Sequence, residues 1–158
     1  MKAAIVMGSD SDWSVMKPAV DTLKEFGVEV ELTVASAHRT PERVKNFVLQ
    51  SGADVFIAAA GMAAHLAGVI ASYTTAPVIG VPISSEPFRG LDSLLSTVQM
   101  PSGVPVATMA VNGAKNAALF AIEIFAVGDP TVKQKLIDHR KKMAALIEEK
   151  DRTLQEKI

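Results

Sequence analysis

Five short apolar runs, each followed at a regular interval by a helical pattern, leave this chain few folds to choose from. The runs are Ala3 to Met7, Val28 to Val34, Val55 to Ala60, Val78 to Val81 and Val104 to Val111. The helical patterns cover Ser14 to Phe26, Pro41 to Gln50, Ala63 to Tyr73, Leu91 to Gln99 and Ala114 to Val127. Repeated strand–helix alternation makes successive strands parallel, with helices on both faces of the sheet. Most of the runs are continuously apolar, as strands covered on both faces must be. Val28 to Val34 is interrupted by Glu29, Glu31 and Thr33, which marks it as an edge strand. Gly27 and Gly52 stand where helix ends call for a left-handed residue. Pro18, near the start of the first helix, predicts a late start or a bend there.

At 158 residues the chain fits one α/β domain, 1–158, able to bury a real core. A net charge of −1 supplies no field for nucleic acid or a membrane surface. The absence of cysteine excludes disulfides, thiolate metal sites and a thiol nucleophile. No run reaches membrane-spanning length and the start lacks a signal-peptide pattern, so a cytoplasmic protein is expected. Apolar residues make up 49% and aromatics only 5%. That surplus of small aliphatics predicts close packing and surface buried against other subunits. Ala114 to Val127 is apolar nearly all round, which predicts burial on more than one side. A last helix, from Thr131 towards Lys157, carries the stripe Val132, Leu136, Met143, Ile147 and Leu154. That stripe docks either on its own domain or on a neighbouring subunit.

Open sheets of this kind bind ligands beyond the carboxyl ends of their strands, where strand order reverses. With the flavodoxin-like order 2-1-3-4-5, a doubly wound three-layer fold, three loops meet there. They are Gly8-Ser9-Asp10-Ser11-Asp12, Ser36-Ala37-His38-Arg39-Thr40-Pro41 and Gly61-Met62-Ala63-Ala64-His65. Ser9 and Ser11 can donate hydroxyls to a phosphate at the positive end of the first helix. Arg39 can supply the missing cation, and Ser36 flanks it. A carboxylate repels phosphate, so an aspartate here either caps the helix or accepts from ribose hydroxyls. The loop has neither GxGxxG nor Walker lysine spacing, so one ribose and one monophosphate suit it better than a dinucleotide. Between Ser36 and Arg39, His38 is the candidate proton carrier. His65, in an apolar helix pattern, reads on its own as a satisfied core histidine, and His139 as solvated. Ala58 to Gly61 are small enough to let a flat ligand approach the backbone.

Together these loops resemble the 5-(carboxyamino)imidazole ribonucleotide mutase family of bacterial purine biosynthesis. Its signatures read GSxSDW, SAHRTP and AGGAAHLPG, then a GVP strand end and VQMPxGVPVxT. The chain has Gly8 to Trp13, Ser36 to Pro41, Ala60 to Gly68, Gly80-Val81-Pro82 and Val98-Gln99-Met100-Pro101 in matching order. It departs at Met62, a glycine in the signature, and at Ala67, a proline. The resemblance implies that Ser9 and Asp12 bind the ribotide, Arg39 its phosphate, and that His38 is catalytic. Ser11, Ser36, Ala60, Gly61, His65 and Leu66 complete the implied substrate site, while Asp10 falls on a variable position. It further implies an octamer, no cofactor or metal, and transfer of a carboxylate from the exocyclic nitrogen of an aminoimidazole ribotide to a ring carbon. Three other readings stand against it. An animal-type carboxylase using free carbon dioxide reads SAHK and AGRSNGLGP instead. A flavin-binding module would stack on aromatics, and Trp13 and Tyr73 are the only Trp and Tyr. A phospho-acceptor domain would need an aspartate where strand three ends Ala-Ala-Ala-Gly.

Overall fold

The computed structural model describes residues 1–158 and holds one five-stranded, all-parallel sheet. Its strands are β1 (Lys2–Met7), β2 (Glu29–Val34), β3 (Val55–Gly61), β4 (Val78–Ile83) and β5 (Ala107–Thr108). Their order is β2-β1-β3-β4-β5, the expected arrangement with its reversal between β1 and β3. The helices are α1 (Trp13–Glu25), α2 (Pro41–Ser51), α3 (Leu66–Ala71), α4 (Leu91–Val98), α5 (Ala114–Ala126) and α6 (Pro130–Gln155). By compactness the chain divides into Met1–Ala121, which holds the sheet, and Ile122–Ile158. No helix is long and apolar enough to cross a membrane.

Alternation along the central strands builds the core. Ala4 and Val6 of β1 and Phe56 and Ala58 of β3 pack with Val44 and Val48 of α2 and with Leu66, Ala67 and Ile70 of α3. Ala3, Ile5 and Ile57, on the opposite face, are fully buried too, which is why the sequence shows unbroken apolar runs there. Removing each large side chain of this kind from water is worth roughly 1.5–3 kcal/mol. Strand β2 lies at the edge as expected, and Leu32 and Val34 remain partly exposed on it. Gly80 is needed where it stands, because a Cβ there would lie 2.3 Å from the Thr97 methyl of α4.

Several boundaries depart from expectation. The last strand is two residues long rather than Val104 to Val111. Pro105 has no N–H to give a ladder, and past Met109, which donates to the Gly80 carbonyl, the chain turns at Asn112 in a left-handed conformation. The first helix does not start late: a 3-10 turn at Asp10–Asp12 leads directly into α1 at Trp13, with Pro18 inside it. Gly52, at φ 60°, ends α2 as a left-handed cap. Helix α3 begins at Leu66 rather than Ala63, so His65 sits at its mouth instead of inside it.

In the second unit, Asp129 caps α6 by accepting from the N–H groups of Thr131 and Val132, with Pro130 in the first turn. Val132 and Leu136 are buried, whereas Met143, Ile147 and Leu154 of the same stripe are 52–64% exposed. His139 is half-buried rather than solvated. On α5, Ala114, Ala117, Ala118, Ala121 and Ile122 are buried, but Phe120, Ile124 and Phe125 are only half-buried. Burial on more than one side is therefore incomplete within a single chain.

Candidate active site

Beyond the carboxyl ends of β1, β3 and β4 lies a cleft of about 780 Å³. Gly8 leaves β1 with its N–H on the Ala59 carbonyl at 2.9 Å, so the opening loop starts tied to β3. Ser9 then caps the 3-10 turn. Its Oγ accepts from the Ser11 N–H, and its own N–H donates to Asp12 Oδ2 at 3.1 Å. Ser11 Oγ donates to Ser9 Oγ at 2.9 Å, which lines two hydroxyls along the cleft wall. The serine and aspartate spacing of GSDSD is thus a reciprocal capping box. Asp12 both takes part in the capping box and lines the cleft. Asp10 is exposed, as expected of the variable position.

The loop after β2 is a compact turn. Thr40 N–H donates to the Ser36 carbonyl, and Ser36 N–H donates to Thr40 Oγ1 at 2.9 Å. Arg39 reaches out of that turn across to the first loop: Nη2 donates to the Gly8 carbonyl at 2.9 Å and Nε to Ser36 Oγ at 3.3 Å. Its guanidinium is thereby held between Gly8 and Ser36, on the cleft that Ser9 and Ser11 also line.

His38 and His65 meet. Nε2 of His38 and Nδ1 of His65 are 3.0 Å apart in one hydrogen bond, with the rings edge to face at 77°. One of the two nitrogens carries the proton and the other accepts it, so each ring constrains the tautomer of its partner. This corrects the reading of His65 as a core histidine: it is exposed, because α3 starts after it. Of the expected site residues, Ser9, Ser11, Asp12, Ser36, His38, Arg39, Ala60, Gly61 and Leu66 all line the cleft. His65 does not line it and touches the site through His38. Met62, where the resembling signature has glycine, adopts a left-handed φ of 55° and is 61% exposed at the cleft edge. Ala67, the other departure, is buried in the first turn of α3.

Sequence reasoning missed the β4 contribution. Ile83, Ser84 and Ser85 also line the cleft, and the rule that pointed to the ends of β1, β2 and β3 points equally to β4. Neither Trp13 nor Tyr73 is among the lining residues, so no Trp or Tyr ring offers a flavin a stacking surface there.

Burial raises the Asp12 carboxyl above its ordinary value of 3.8, and the charge of Asp10 adds to this, while the Ser9 N–H, Ser11 and Arg39 oppose it. A carboxyl that holds its proton more tightly folded than unfolded contributes stability that is fully present below the unfolded pKa. That contribution is lost as pH rises through the folded pKa. Asp12→Asn keeps a neutral acceptor, so it should melt higher than wild type at pH 7. The difference should shrink towards zero as pH falls below about 3.8. Paired thermal melts across that range check it, and a pH-independent difference would contradict it.

The fold is that of a flavodoxin-like, doubly wound α/β protein with a cleft at its strand reversal, and sequence similarity gives it a family. Residues 2–146 match the sequence profile of the family described as AIR carboxylase, and the chain belongs to that family. It is 56% identical over 155 residues to N5-carboxyaminoimidazole ribonucleotide mutase of Pyrococcus horikoshii, spanning 96% of this chain and 88% of that protein. To the enzyme of the same name from Methanocaldococcus jannaschii it is 54% identical over 152 residues, 96% of either chain. Among solved structures it is similar to Treponema denticola PurE, with a TM-score of 0.88 at 30% identity over 97% of this chain and 98% of that one.

Proposed function

We infer that this chain is the mutase that moves the carboxylate of 5-(carboxyamino)imidazole ribonucleotide from the exocyclic nitrogen to a ring carbon, a step of purine biosynthesis. The observation that carries the reading is the meeting, in one cleft, of a paired histidine, an arginine anchored on Gly8 and Ser36, and the hydroxyls of Ser9 and Ser11. Family membership and the mutase names of relatives at 54–56% identity support it.

In this reading Arg39, Ser9, Ser11 and Ser36 take the phosphate and Asp12 accepts from the ribose, which leaves the imidazole ring against His38, Ala60, Gly61 and Leu66. The carbamate N–C bond breaks, its electron pair staying on nitrogen, and His38 gives that nitrogen a proton. Carbon dioxide is held in the small-residue pocket, which limits its escape. The electron-rich ring carbon attacks it, forming the C–C bond, and His38 takes the proton that this carbon sheds. Atoms and charge balance, so no cofactor is consumed. His65, bonded to Nε2 of His38, keeps that ring oriented through both transfers.

The deciding experiment supplies the carbamate ribotide alone in bicarbonate-free buffer. Formation of the carbon-carboxylated isomer supports the mutase. Product made only from the decarboxylated ribotide plus bicarbonate would favour the second reading, a carboxylase using free carbon dioxide, which the family description keeps in play.

The same reading includes assembly as an octamer in the cytoplasm, with α6 at a subunit boundary. The open stripe Met143, Ile147 and Leu154, with Leu146 at 62% exposure, is more apolar surface than a lone helix leaves in water. Light scattering should give a particle close to eight 16.7 kDa chains. Leu146→Glu with Ile147→Glu should dissociate it while leaving the far-UV spectrum unchanged, because both side chains are exposed in the single chain. A stable, active monomer would contradict the assembly.

A further inference from the structure

The end of β4 and the first residue after it are pinned at three successive positions. Asn112 N–H donates to the Pro82 carbonyl at 2.8 Å, and the buried Ser93 Oγ donates to the Ile83 carbonyl at 2.8 Å. Ser84 N–H then donates to Asn112 Oδ1 at 2.9 Å. The next residue, Ser85, lines the cleft, yet its hydroxyl oxygen is shielded from solvent and bonded to no protein group. A buried hydroxyl without a partner is costly, because it has given up its bonds to water for nothing. The three residues before it are each held by a hydrogen bond, whereas the Ser85 hydroxyl has none.

Its position narrows what it can meet. Gly61 pairs with Ile83 across β3 and β4, and a Cβ on Gly61 would lie 3.7 Å from Ser85 Oγ. Ser85 is therefore on the Gly61 side of the cleft, whereas Ser9, Ser11 and Arg39 gather at the first loop. The apolar residues Ala60, Ala63 and Leu66 line the same cleft. Lysine is absent from the cleft lining and Arg39 is tied to Gly8 and Ser36, so no cation serves this end.

We propose that Ser85 donates a hydrogen bond to the migrating carboxyl group of the substrate, holding it while it is detached from nitrogen and until carbon captures it. This rests on the mutase reading. Ser85 lines the cleft with its hydroxyl unpartnered, so a substrate carboxyl group there would supply the acceptor that the protein does not. A neutral donor suits the task better than a cation. It can follow the group from carboxylate to carbon dioxide and back without trapping the charged form. No proton is transferred by Ser85.

The test is Ser85→Ala in the full chain, assayed with the carbamate ribotide in bicarbonate-free buffer, with both ribotide products quantified. Turnover should fall about tenfold or more, the range for a bond to a charged acceptor. The share released as decarboxylated ribotide should rise, because carbon dioxide is held less well. Affinity for the decarboxylated ribotide should stay within twofold of wild type. The melting temperature should hold or rise, since no protein hydrogen bond is lost, and Ser85→Thr should recover most of the coupling. Wild-type rate and partition in Ser85→Ala would overturn the proposal, as would an equal loss of affinity for the decarboxylated ribotide. If instead the unmutated chain fails to isomerise the carbamate, the mutase reading is what fails.

Discussion

His38→Asn should leave the fold and ribotide binding in place and cut turnover by roughly a hundred- to ten-thousand-fold, the range for general acid–base catalysis. The exposed ring of His38 stands on a turn held by Thr40 and Ser36, so its removal takes no support from the core. Asparagine offers a donor and an acceptor but cannot exchange a proton near neutral pH. The bond between His38 Nε2 and His65 Nδ1 sharpens the test. If His65 only orients His38, then His65→Asn should cost far less than His38→Asn, and the double variant should be no worse than His38→Asn alone. Steady-state rates of the three variants check this. More than half of wild-type turnover in His38→Asn would remove His38 from the chemistry.

Arg39→Ala should act first on affinity, lowering it by roughly ten- to a hundred-fold, as expected for a charge-assisted bond to phosphate worth about 1.5–3 kcal/mol. The guanidinium already donates to the Gly8 carbonyl and to Ser36 Oγ, so it is held in place before the ligand arrives. Little ordering cost then offsets the bond it forms. Arg39→Lys should recover only part of the loss, because an ammonium cannot span Gly8 and Ser36 while facing a phosphate. Some loss of turnover should accompany the loss of affinity, since binding at the phosphate positions the distant ring. Titration calorimetry with the ribotide checks this, and unchanged affinity would mean that the phosphate lies elsewhere.

What the amino-acid order determined by itself was local or periodic. Alternating apolar runs and helical patterns dictated a parallel sheet, because only β-α-β crossovers connect strands at that spacing. The charged residues of β2 announced an edge, and the spacing in GSDSD announced a capped turn. The chain-reversal rule then brought three loops together, and the motifs on them carried the family. Tertiary structure alone decided what depends on distance between residues far apart in sequence. His65 lies in an apolar stretch, and nothing local reveals that α3 begins one residue later and turns it toward a histidine 27 positions away. Ser85 looks like any loop serine until Gly61 is placed beside it and the residues before it are seen pinned by Asn112 and Ser93. Likewise the apolar run after Val104 predicts a long strand, but pairing requires a partner with free donors in register, and only Ala107 and Thr108 find one on β4. Periodicity is written along the chain, while hydrogen-bond satisfaction is a property of the folded neighbourhood.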